Sequence, residues 1–273
     1  MRWSAERGMI LNSIISMMGG GLVIGPKTLA YSTVVTSRGG SLTANELLYL
    51  TTFETSLGSN LDEFDRLWIH GLNNDVAART SFVNPSSTII TAVNSPTFTA
   101  NQGYQGNGST SYLNTNYNPS TQGVKYTLSN ASGFAYIGNN VIETRVAFGS
   151  LGSGAVSAFL YPQYSNLIPI YAANDGGTDN YGTGNSLGLS SVIRTSSTSL
   201  RLYKNGALNA SATKNSTVIP NLALFICGFN LAGNLSAAST AKFSATGFGS
   251  SNFNQSTFYS ALQALGTSIG WAV

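Results

Sequence analysis

The sequence predicts a mainly β protein, an antiparallel β-sandwich that follows a short helical region near the amino terminus. Only 8% of the 273 residues are charged, whereas 42% are apolar and 11% are aromatic. The chain therefore has enough apolar surface to bury against the entropy cost of folding. β-branched and aromatic residues alternate with clusters of Gly, Asn and Ser, and this pattern favours strands and turns over helices. We expect solubility to depend on hydroxyl and amide side chains.

The charge pattern limits the partners of the chain. Its formal net charge of +3 reflects a scarcity of acidic residues, and basic residues such as Lys125, Arg145 and Arg194 lie far apart in the sequence. Nucleic-acid binding depends on clustered positive charge that displaces counterions. We therefore expect no nucleic-acid partner.

Residues 1–40 are predicted to be an arm used in assembly. The first 25 residues read "MRWSAERGMILNSIISMMGGGLVIG", with Arg2 and Arg7 before a short apolar run. This arrangement resembles a signal peptide, but polar residues interrupt the run and no clean cleavage site follows it. The run is also too short and too polar to span a bilayer. We expect the arm to become ordered against a neighbouring subunit.

Residues 41–79 are predicted to form a helical hairpin that attaches the protein to its partners. Thr43 and Glu46 have the spacing of a capping box, in which each residue binds the backbone of the other. A helix is therefore expected to begin after Thr43 and to end at Leu57, since Gly58 follows.

A second helix is predicted from Asn60, because large apolar residues recur at helical spacing up to Gly71. These residues are Leu61, Phe64, Leu67 and Trp68. The acidic residues Asp62, Glu63 and Asp65 lie among them and resemble a catalytic or metal-binding cluster. Carboxylates in the first turn are favoured by the helix dipole in any case, so we interpret them as a solvated face.

The distribution of acidic residues predicts a domain boundary at residues 72–80. Seven of the ten acidic residues precede residue 80. Three segments follow from this shift: the arm at 1–40, the hairpin at 41–79 and a β domain at 80–273. Because two short helices cannot bury their apolar faces alone, they must pack on the sandwich or on symmetry mates, and we expect a homotrimer. The β domain is expected to fold without the first segments.

Many short strand-like segments separated by turn residues follow residue 80, which is typical of a sandwich. The candidates are "SFVNP", "STIITAV", "SYLNTNY", "GFAYIGN", "TRVAFGS", "AVSAFLY", "LIPIYAA", "SVIRT", "SLRLYKNGAL", "NLALFICGFN" and "KFSATGFGS". The clearest is the hairpin at Asn205-Gly206, a pair that tolerates the positive φ angles of a type I′ turn. Leu200 and Leu202 are expected to face the core, with Leu208 returning beside them.

The order of these segments resembles a known fold family. An entry strand "GYQGNGSTSYLNT", the hairpin "LRLYKNGAL", the strand "ALFICGFN" and the closing "FSATGFGSSNFNQSTFYSALQALGTSIGW" are similar in order to the laminin-G-like or concanavalin-like jelly roll. The segment "NQSTFYSALQAL" resembles the terminal helix of such domains in phage and prophage virion proteins. The resemblance covers about residues 40–273 and implies an antiparallel jelly roll, with Tyr104, Tyr112 and Tyr117 as packing residues of the entry region.

The residues of the β domain do not predict an enzyme. Glycoside hydrolases of this shape place two carboxylates on one strand, whereas Glu143 has no acidic neighbour at the same-face spacing of a strand. The single histidine, His70, belongs to the predicted helical hairpin and is followed by Gly71, so it is interpreted as a satisfied or exposed residue at a helix end. Cys227 is interpreted as a small buried hydrophobic residue.

The loop "AANDGGTDNYGTGN" is the best candidate for a binding site. Asn174, Asp175 and Asp179 offer oxygen ligands for Ca²⁺, and no other cofactor is predicted. Asp179, Asn180 and Tyr181 combine a carboxylate, an amide and an aromatic ring, as a glycan site does. The alternative for both is an ordinary polar turn without a ligand, which the sequence favours, because no known calcium-loop spacing is matched.

These observations and the resemblance together predict a non-enzymatic structural protein of a bacteriophage virion. It would be a head or tail fibre or a decoration subunit, attached to other virion proteins through residues 1–79. The sandwich would face outward and contact glycans of the host surface. The alternative is a secreted carbohydrate-binding module or adhesin of a bacterium, and a weaker one is a depolymerase with an unrecognised site.

Overall fold

The structure is a computed structural model that describes residues 23–152, 157–164, 168–176 and 182–271. Residues 1–22 of the predicted arm lie outside this part. The helices are α1 (Pro26–Ser37), α2 (Ala44–Leu57), α3 (Asp75–Arg79), α4 (Pro119–Gln122) and α5 (Gln255–Ile269), with a short 3-10 helix at Gly58–Glu63. None of the helices in the described ranges is long and apolar enough to cross a membrane.

A helical hairpin is present, but it is formed by α1 and α2. Thr43 and Glu46 make the predicted capping box at the start of α2, and the helix ends at Leu57 as expected. Gly25 provides no capping side chain for α1, so Glu54 of α2 accepts hydrogen bonds from the first backbone amides of α1. This contact places the start of α1 beside the carboxyl-terminal half of α2.

The prediction of a second helix after Gly58 is wrong. The chain continues as a 3-10 helix and then as strand β1 (Phe64–Trp68), which pairs with the last strand of the chain. All five residues of β1 are buried. A strand that is buried on both faces has apolar residues on both, and here their spacing coincides with that of a helix.

Most of the other predicted strands are confirmed, although "SFVNP" is not a strand. The remaining strands are β2 (Thr91–Val93), β3 (Thr97–Thr99), β4 (Gly103–Gln105), β5 (Tyr112–Asn114), β6 (Ala131–Ile137), β7 (Phe148–Leu151), β8 (Ser157–Tyr164), β9 (Ile168–Asp175), β10 (Gly188–Arg194), β11 (Ser199–Lys204), β12 (Ala207–Thr213), β13 (Phe225–Ile226), β14 (Phe229–Leu231), β15 (Asn234–Ser236) and β16 (Lys242–Gly249). The region "NLALFICGFN" forms two strands, because Cys227 between them has a positive φ of 63°.

The strands form two sheets. The first sheet has the order β12-β11-β10-β6-β16-β4-β3, with β1 also paired to β16. The second has the order β15-β14-β7-β13-β5-β2, with β8 paired to β7 and β9 paired to β8. Pairing is antiparallel except between β14 and β7. The predicted fold class, a β-sandwich with a short helical region before it, is therefore confirmed.

The first sheet is the middle layer of the molecule. One face packs against the second sheet through side chains such as Ile137, Phe148 and Phe243. The other face contributes Phe134 and Tyr136 to a separate hydrophobic cluster with helices α1, α2 and α5. Strand β6 is consequently buried along its whole length.

Residues on both sides of the predicted boundary at 72–80 share this packing. Leu61, Phe64 and Leu67 lie in the same cluster as Phe134 and Leu262, and β1 is part of the first sheet. The division into an attachment module and a separate β domain stays a prediction. The contacts show that the two segments bury each other's apolar faces.

The predicted hairpin at Asn205-Gly206 is confirmed, with φ angles of 48° and 79°. Leu200 and Leu202 face the core and are at most 1% exposed. The prediction for Leu208 is wrong, because its side chain is 56% exposed. Leu208 pairs with Tyr203, and neighbouring residues of a strand point to opposite faces, so Leu208 cannot share the face of Leu202.

Candidate functional site

The predicted loop after β9 begins in a buried ion pair. Asp175 is 2% exposed and accepts a 2.7 Å hydrogen bond from Nη2 of Arg194, which is fully buried. The guanidinium also donates to the carbonyls of Ala173 at 2.5 Å and Lys214 at 2.8 Å. A buried charge is tolerated when it is paired and hydrogen-bonded in this way. The pair therefore fastens the ends of β9, β10 and β12 to one another.

Asn174 is fixed in the same region and has a positive φ of 61°. Its side-chain nitrogen donates to the carbonyls of Thr127 and Leu128, both at 3.0 Å, and its oxygen accepts a 2.9 Å bond from the hydroxyl of Tyr126. Asn174 thus holds the loop before β6 against β9. The side chain serves the fold directly.

The calcium and glycan predictions for this loop depend mainly on residues outside the described ones. Asp179, Asn180 and Tyr181 are among these, so the structure places only Asn174 and Asp175. Within the described ranges, no group of three His, Cys, Asp or Glu side chains is close enough to hold a metal ion. Both the calcium site and the glycan site at residues 174–181 stay predictions.

The acidic residues of "LDEFD" differ in their environments. Asp62 is exposed and forms a 2.7 Å ion pair with Lys27, in agreement with a solvated face. The same interpretation is wrong for Asp65, which is 6% exposed. Its carboxylate accepts hydrogen bonds from the hydroxyl of Tyr117 at 2.9 Å and from the backbone amides of residues 124–126. Strand β1 carries Asp65 into the molecule, where it organises the loop before β6.

Two further carboxylates are also bound by protein groups. Glu143 accepts hydrogen bonds from the hydroxyl of Ser239 and from the backbone and hydroxyl of Thr240. Asp75 accepts from Arg79 and from the hydroxyl of Tyr104. Burial would raise the pKa of Asp75, but the hydrogen bonds from Arg79 and Tyr104 outweigh it and the pKa is lowered. These carboxylates stabilise loops.

His70 and Cys227 have structural surroundings. His70 is fully buried, with Nδ1 2.9 Å from the carbonyl of Ala78 and Nε2 2.8 Å from the hydroxyl of Thr246. Burial lowers the pKa of His70 to about 4. The prediction of a satisfied histidine is confirmed, although it follows a strand and not a helix. Cys227 is fully buried as predicted, and burial raises the pKa of its thiol.

A polar cleft of about 310 Å³ lies at the amino-terminal end of α2. It is the strongest candidate for a binding site among the described residues. Its walls come from four parts of the chain: the start of α2, the segment after β1, the turn between β3 and β4, and the end of α5. The lining residues are Thr43, Asn45, Glu46, Tyr49, Asn73, Asn101, Ser268 and Ile269.

Glu46 joins two of these walls. One carboxylate oxygen accepts from the backbone amide of Thr43 at 2.7 Å, as part of the capping box, and the other accepts from the backbone amide of Asn73 at 2.8 Å. The residue is 4% exposed and is one of the residues that line the cleft. Helix α2 then places Tyr49 one turn further along the same wall.

The other two walls are fixed by backbone contacts. The amide of Asn101, a residue with a positive φ of 61°, donates to the carbonyl of Leu72 at 3.2 Å. The side chain of Gln102 donates to the carbonyl of Gly270 at 2.7 Å, and the indole of Trp271 donates to Gly71 at 2.8 Å. These bonds hold the turn and the end of α5 against the segment after β1.

The lining has the chemistry of a site for a polar, uncharged ligand. Three amide side chains and two hydroxyls provide donors and acceptors, while Tyr49 and Ile269 provide apolar surface. Ligand sites commonly combine apolar surface with a few convergent polar groups. Sequence reasoning missed this cleft because its residues are dispersed from 43 to 269, and asparagine is common throughout the chain.

Two other hollows have simpler linings. One, of about 390 Å³, runs between α2 and α5 and is lined by small residues such as Ser56, Ser260 and Ala264. The other, of about 340 Å³, lies beside the end of β7 and is lined mainly by apolar residues, including Val218 and Ile219. Neither brings an aromatic ring together with amide groups.

Comparison with protein-family models and with curated proteins finds no match. Among solved structures, the chain is similar to the receptor binding domain of botulinum neurotoxin C/D mosaic serotype, with a TM-score of 0.52 and 10% identity. The match covers 73% of this chain and 51% of that chain. A mutant of Trypanosoma rangeli sialidase displaying trans-sialidase activity matches with a TM-score of 0.53 and 10% identity, covering 80% of this chain and 39% of that chain. At such identities the similarity shows the β-sandwich fold alone.

Proposed function

We propose that this chain is a non-enzymatic structural protein of a bacteriophage virion and that the polar cleft at the start of α2 binds glycans of the host surface. The observation that supports glycan binding is the lining of the cleft. Asn45, Asn73 and Asn101 line the same cleft as Tyr49, which has a volume of about 310 Å³. Sugars present hydroxyls to such amides and a C–H face to such a ring.

A binding role is favoured over catalysis by the surroundings of the carboxylates. Hydrolysis of a glycosidic bond commonly requires two carboxyl groups on either side of the scissile bond. Glu46 is the one carboxylate in the cleft lining, and both of its oxygens accept hydrogen bonds from the backbone. Glu143 accepts hydrogen bonds from Ser239 and Thr240, and Asp175 forms an ion pair with Arg194. Both carboxylates lie outside the cleft lining.

The start of the described chain and the cleft lie at opposite ends of α2. The described chain begins beside the carboxyl-terminal half of α2, where Gly25 contacts Thr51 and Lys27 contacts Glu54. The cleft lies at the other end of α2, by Thr43. Most of the cleft lining belongs to residues 41–79, so a glycan site here assigns host contact to part of the segment that the sequence predicted to attach the protein. In this proposal the virion partners bind the remainder of residues 1–79. A fibre or decoration role of this kind makes a homotrimer the expected assembly.

Glycan binding is tested by applying the full-length protein to an array of bacterial surface polysaccharides and to the neutral oligosaccharides lactose and maltotriose. The variant Tyr49→Leu keeps apolar volume and helix propensity but removes the ring, so we expect binding to weaken about tenfold. Tyr112→Leu is the matched control, because Tyr112 is also half-buried but lies outside the cleft. Binding that is equally reduced by both variants, or absent from the wild type, would refute the cleft as a glycan site.

The virion assignment is tested separately by a mass-spectrometric inventory of purified particles. We expect the protein among the particle components, with capsid or tail genes beside its own gene. Absence from particles, together with a neighbouring transporter or surface-anchor operon, would favour a secreted carbohydrate-binding module or adhesin.

A further inference from the structure

The charge of the cleft carries information about the class of ligand, and the inference below depends on the proposed glycan binding. Among the residues that the structure describes, the lining contains one acidic side chain, Glu46, and no Lys, Arg or His. Its other polar groups are amides and hydroxyls. The cleft therefore presents negative charge to a ligand and no positive side chain to balance an acidic one.

The charge of Glu46 is not neutralised by an ion pair. Among the described residues, ion pairs are formed by Asp62, Asp75 and Asp175, and Glu46 has hydrogen bonds from Thr43 and Asn73 only. Its negative charge also acts beyond the cleft: after burial, it is the second cause that raises the pKa of Tyr31. A ligand in the cleft is exposed to the same charge.

We propose that the cleft selects neutral sugars and rejects sugars that carry a carboxylate, such as sialic and uronic acids, with Glu46 as the specificity-determining residue. An acidic sugar would lose hydration in the cleft and face a like charge without a cation, which disfavours its binding. A neutral sugar of the same size meets the same amides without that repulsion. Rejection through an unfavourable charge is a common source of specificity.

The test compares matched pairs of ligands on the full-length protein. Lactose is paired with 3′-sialyllactose, and maltotriose with trigalacturonate, and the dissociation constants are measured by calorimetry or by ligand-observed NMR. We expect the wild type to bind the neutral member of a pair at least tenfold more tightly. At high ionic strength the ratio should decrease, because salt screens the repulsion.

The variant Glu46→Gln removes the charge and can keep the capping contact, since the amide oxygen of Gln accepts from Thr43 in a capping box as Glu does. The NH2 group of Gln cannot accept from the amide of Asn73, so Ser268→Lys is a second variant that leaves both contacts in place. We expect the ratio to fall below threefold in Glu46→Gln, because the repulsion that weakens acidic-sugar binding is removed. Ser268→Lys adds a cation to the lining and should lower the ratio in the same direction. Glu54→Gln is the matched control: Glu54 is also a buried glutamate that caps a helix, but it lies outside the cleft, so the ratio should not change.

The outcomes separate the two proposals. If the wild type binds neither member of any pair and no array polysaccharide, the proposed glycan binding fails and the inference fails with it. If binding occurs and is weakened by Tyr49→Leu, but acidic sugars bind as tightly as neutral ones, glycan binding stands and the charge selection is overturned. An unchanged ratio in Glu46→Gln would likewise overturn the role of Glu46.

Discussion

The substitution Phe64→Ala tests whether β1 is an integral part of the sandwich. Phe64 is 5% exposed, and its ring centroid lies 5.7 Å from that of Phe134, 4.6 Å from that of Phe253 and 5.2 Å from that of Phe258. These partners come from β6, the loop after β16 and α5. Removal of a buried phenylalanine ring from such a site costs about 3–5 kcal/mol of unfolding free energy. That loss is a large fraction of the stability of a typical domain.

The assay is urea unfolding of the full-length protein, followed by tryptophan fluorescence and circular dichroism. We expect one transition for both probes, moved to lower urea with little change in its slope, because β1 and the sandwich unfold together. Leu29→Ala is the control: Leu29 lies on α1, is 41% exposed, and should cost less than about 1 kcal/mol. A cost below 1 kcal/mol for Phe64→Ala, or a separate early transition for the helical region, would refute the packing described here.

The remaining predictions concern the boundary, a turn and two buried ionisable groups. A fragment of residues 80–273 keeps α5 but lacks β1, α1 and α2, which also pack on the first sheet. In contrast to the expectation from the sequence alone, we therefore expect it to be insoluble or to bind a hydrophobic dye, and a soluble, cooperatively melting fragment would contradict this. Gly206→Val should cost about 1–3 kcal/mol in thermal melts, because Gly206 has a φ of 79° and packs against α5. Folding lowers the pKa of His70 from 6.5 to about 4. The contribution of neutral His70 to the free energy of unfolding is therefore complete above pH 6.5, and this free energy should fall by about 3 kcal/mol as the pH drops to 4. In His70→Gln the free energy of unfolding should change less steeply with pH between pH 6.5 and 5. An unchanged slope would mean that other groups cause the pH dependence. Asp175→Asn leaves the buried Arg194 without its counter-charge and should cost about 3–5 kcal/mol in urea unfolding; a loss below 1 kcal/mol would contradict a buried, paired charge.

Local signals in the sequence were sufficient where short-range chemistry determines the structure. Thr43 and Glu46 specify a capping box through side chains three residues apart, and Asn205-Gly206 specify a turn through their tolerance of positive φ. Each depends on neighbours in the chain only. The fold class followed in the same way from many strand segments separated by turn residues.

Local signals failed where residues that are distant in the sequence determine the structure of a segment. Helical spacing of Leu61, Phe64, Leu67 and Trp68 predicted a helix, but pairing with β16 makes this segment a strand that is buried on both faces. Asp65 illustrates the consequence. It was predicted to be a solvated carboxylate on a helix, but it is buried and accepts hydrogen bonds from the backbone amides of residues 124–126. Tertiary pairing overrides a periodicity that a short segment carries by coincidence.

The candidate site was the least predictable feature. Asn45, Asn73 and Asn101 belong to three separate segments. These are brought together by tertiary hydrogen bonds such as those of Glu46 with the amide of Asn73 and of the Asn101 amide with Leu72. Composition could not distinguish them from other asparagines in the chain. The sequence instead drew attention to the loop at residues 172–185, where oxygen-bearing side chains are adjacent in the chain.

The central claim, that the cleft at the start of α2 is the ligand site, is tested most directly by NMR titration of the ¹⁵N-labelled full-length protein with its best-binding neutral oligosaccharide. The side-chain amide signals of Asn45, Asn73 and Asn101 report on the walls of the cleft. We predict that these signals shift together and saturate at one dissociation constant, and that Tyr49→Leu weakens that constant. Shifts confined to the loop at residues 176–182, with the three cleft amides unmoved at saturation, would contradict the account and place the ligand at the loop.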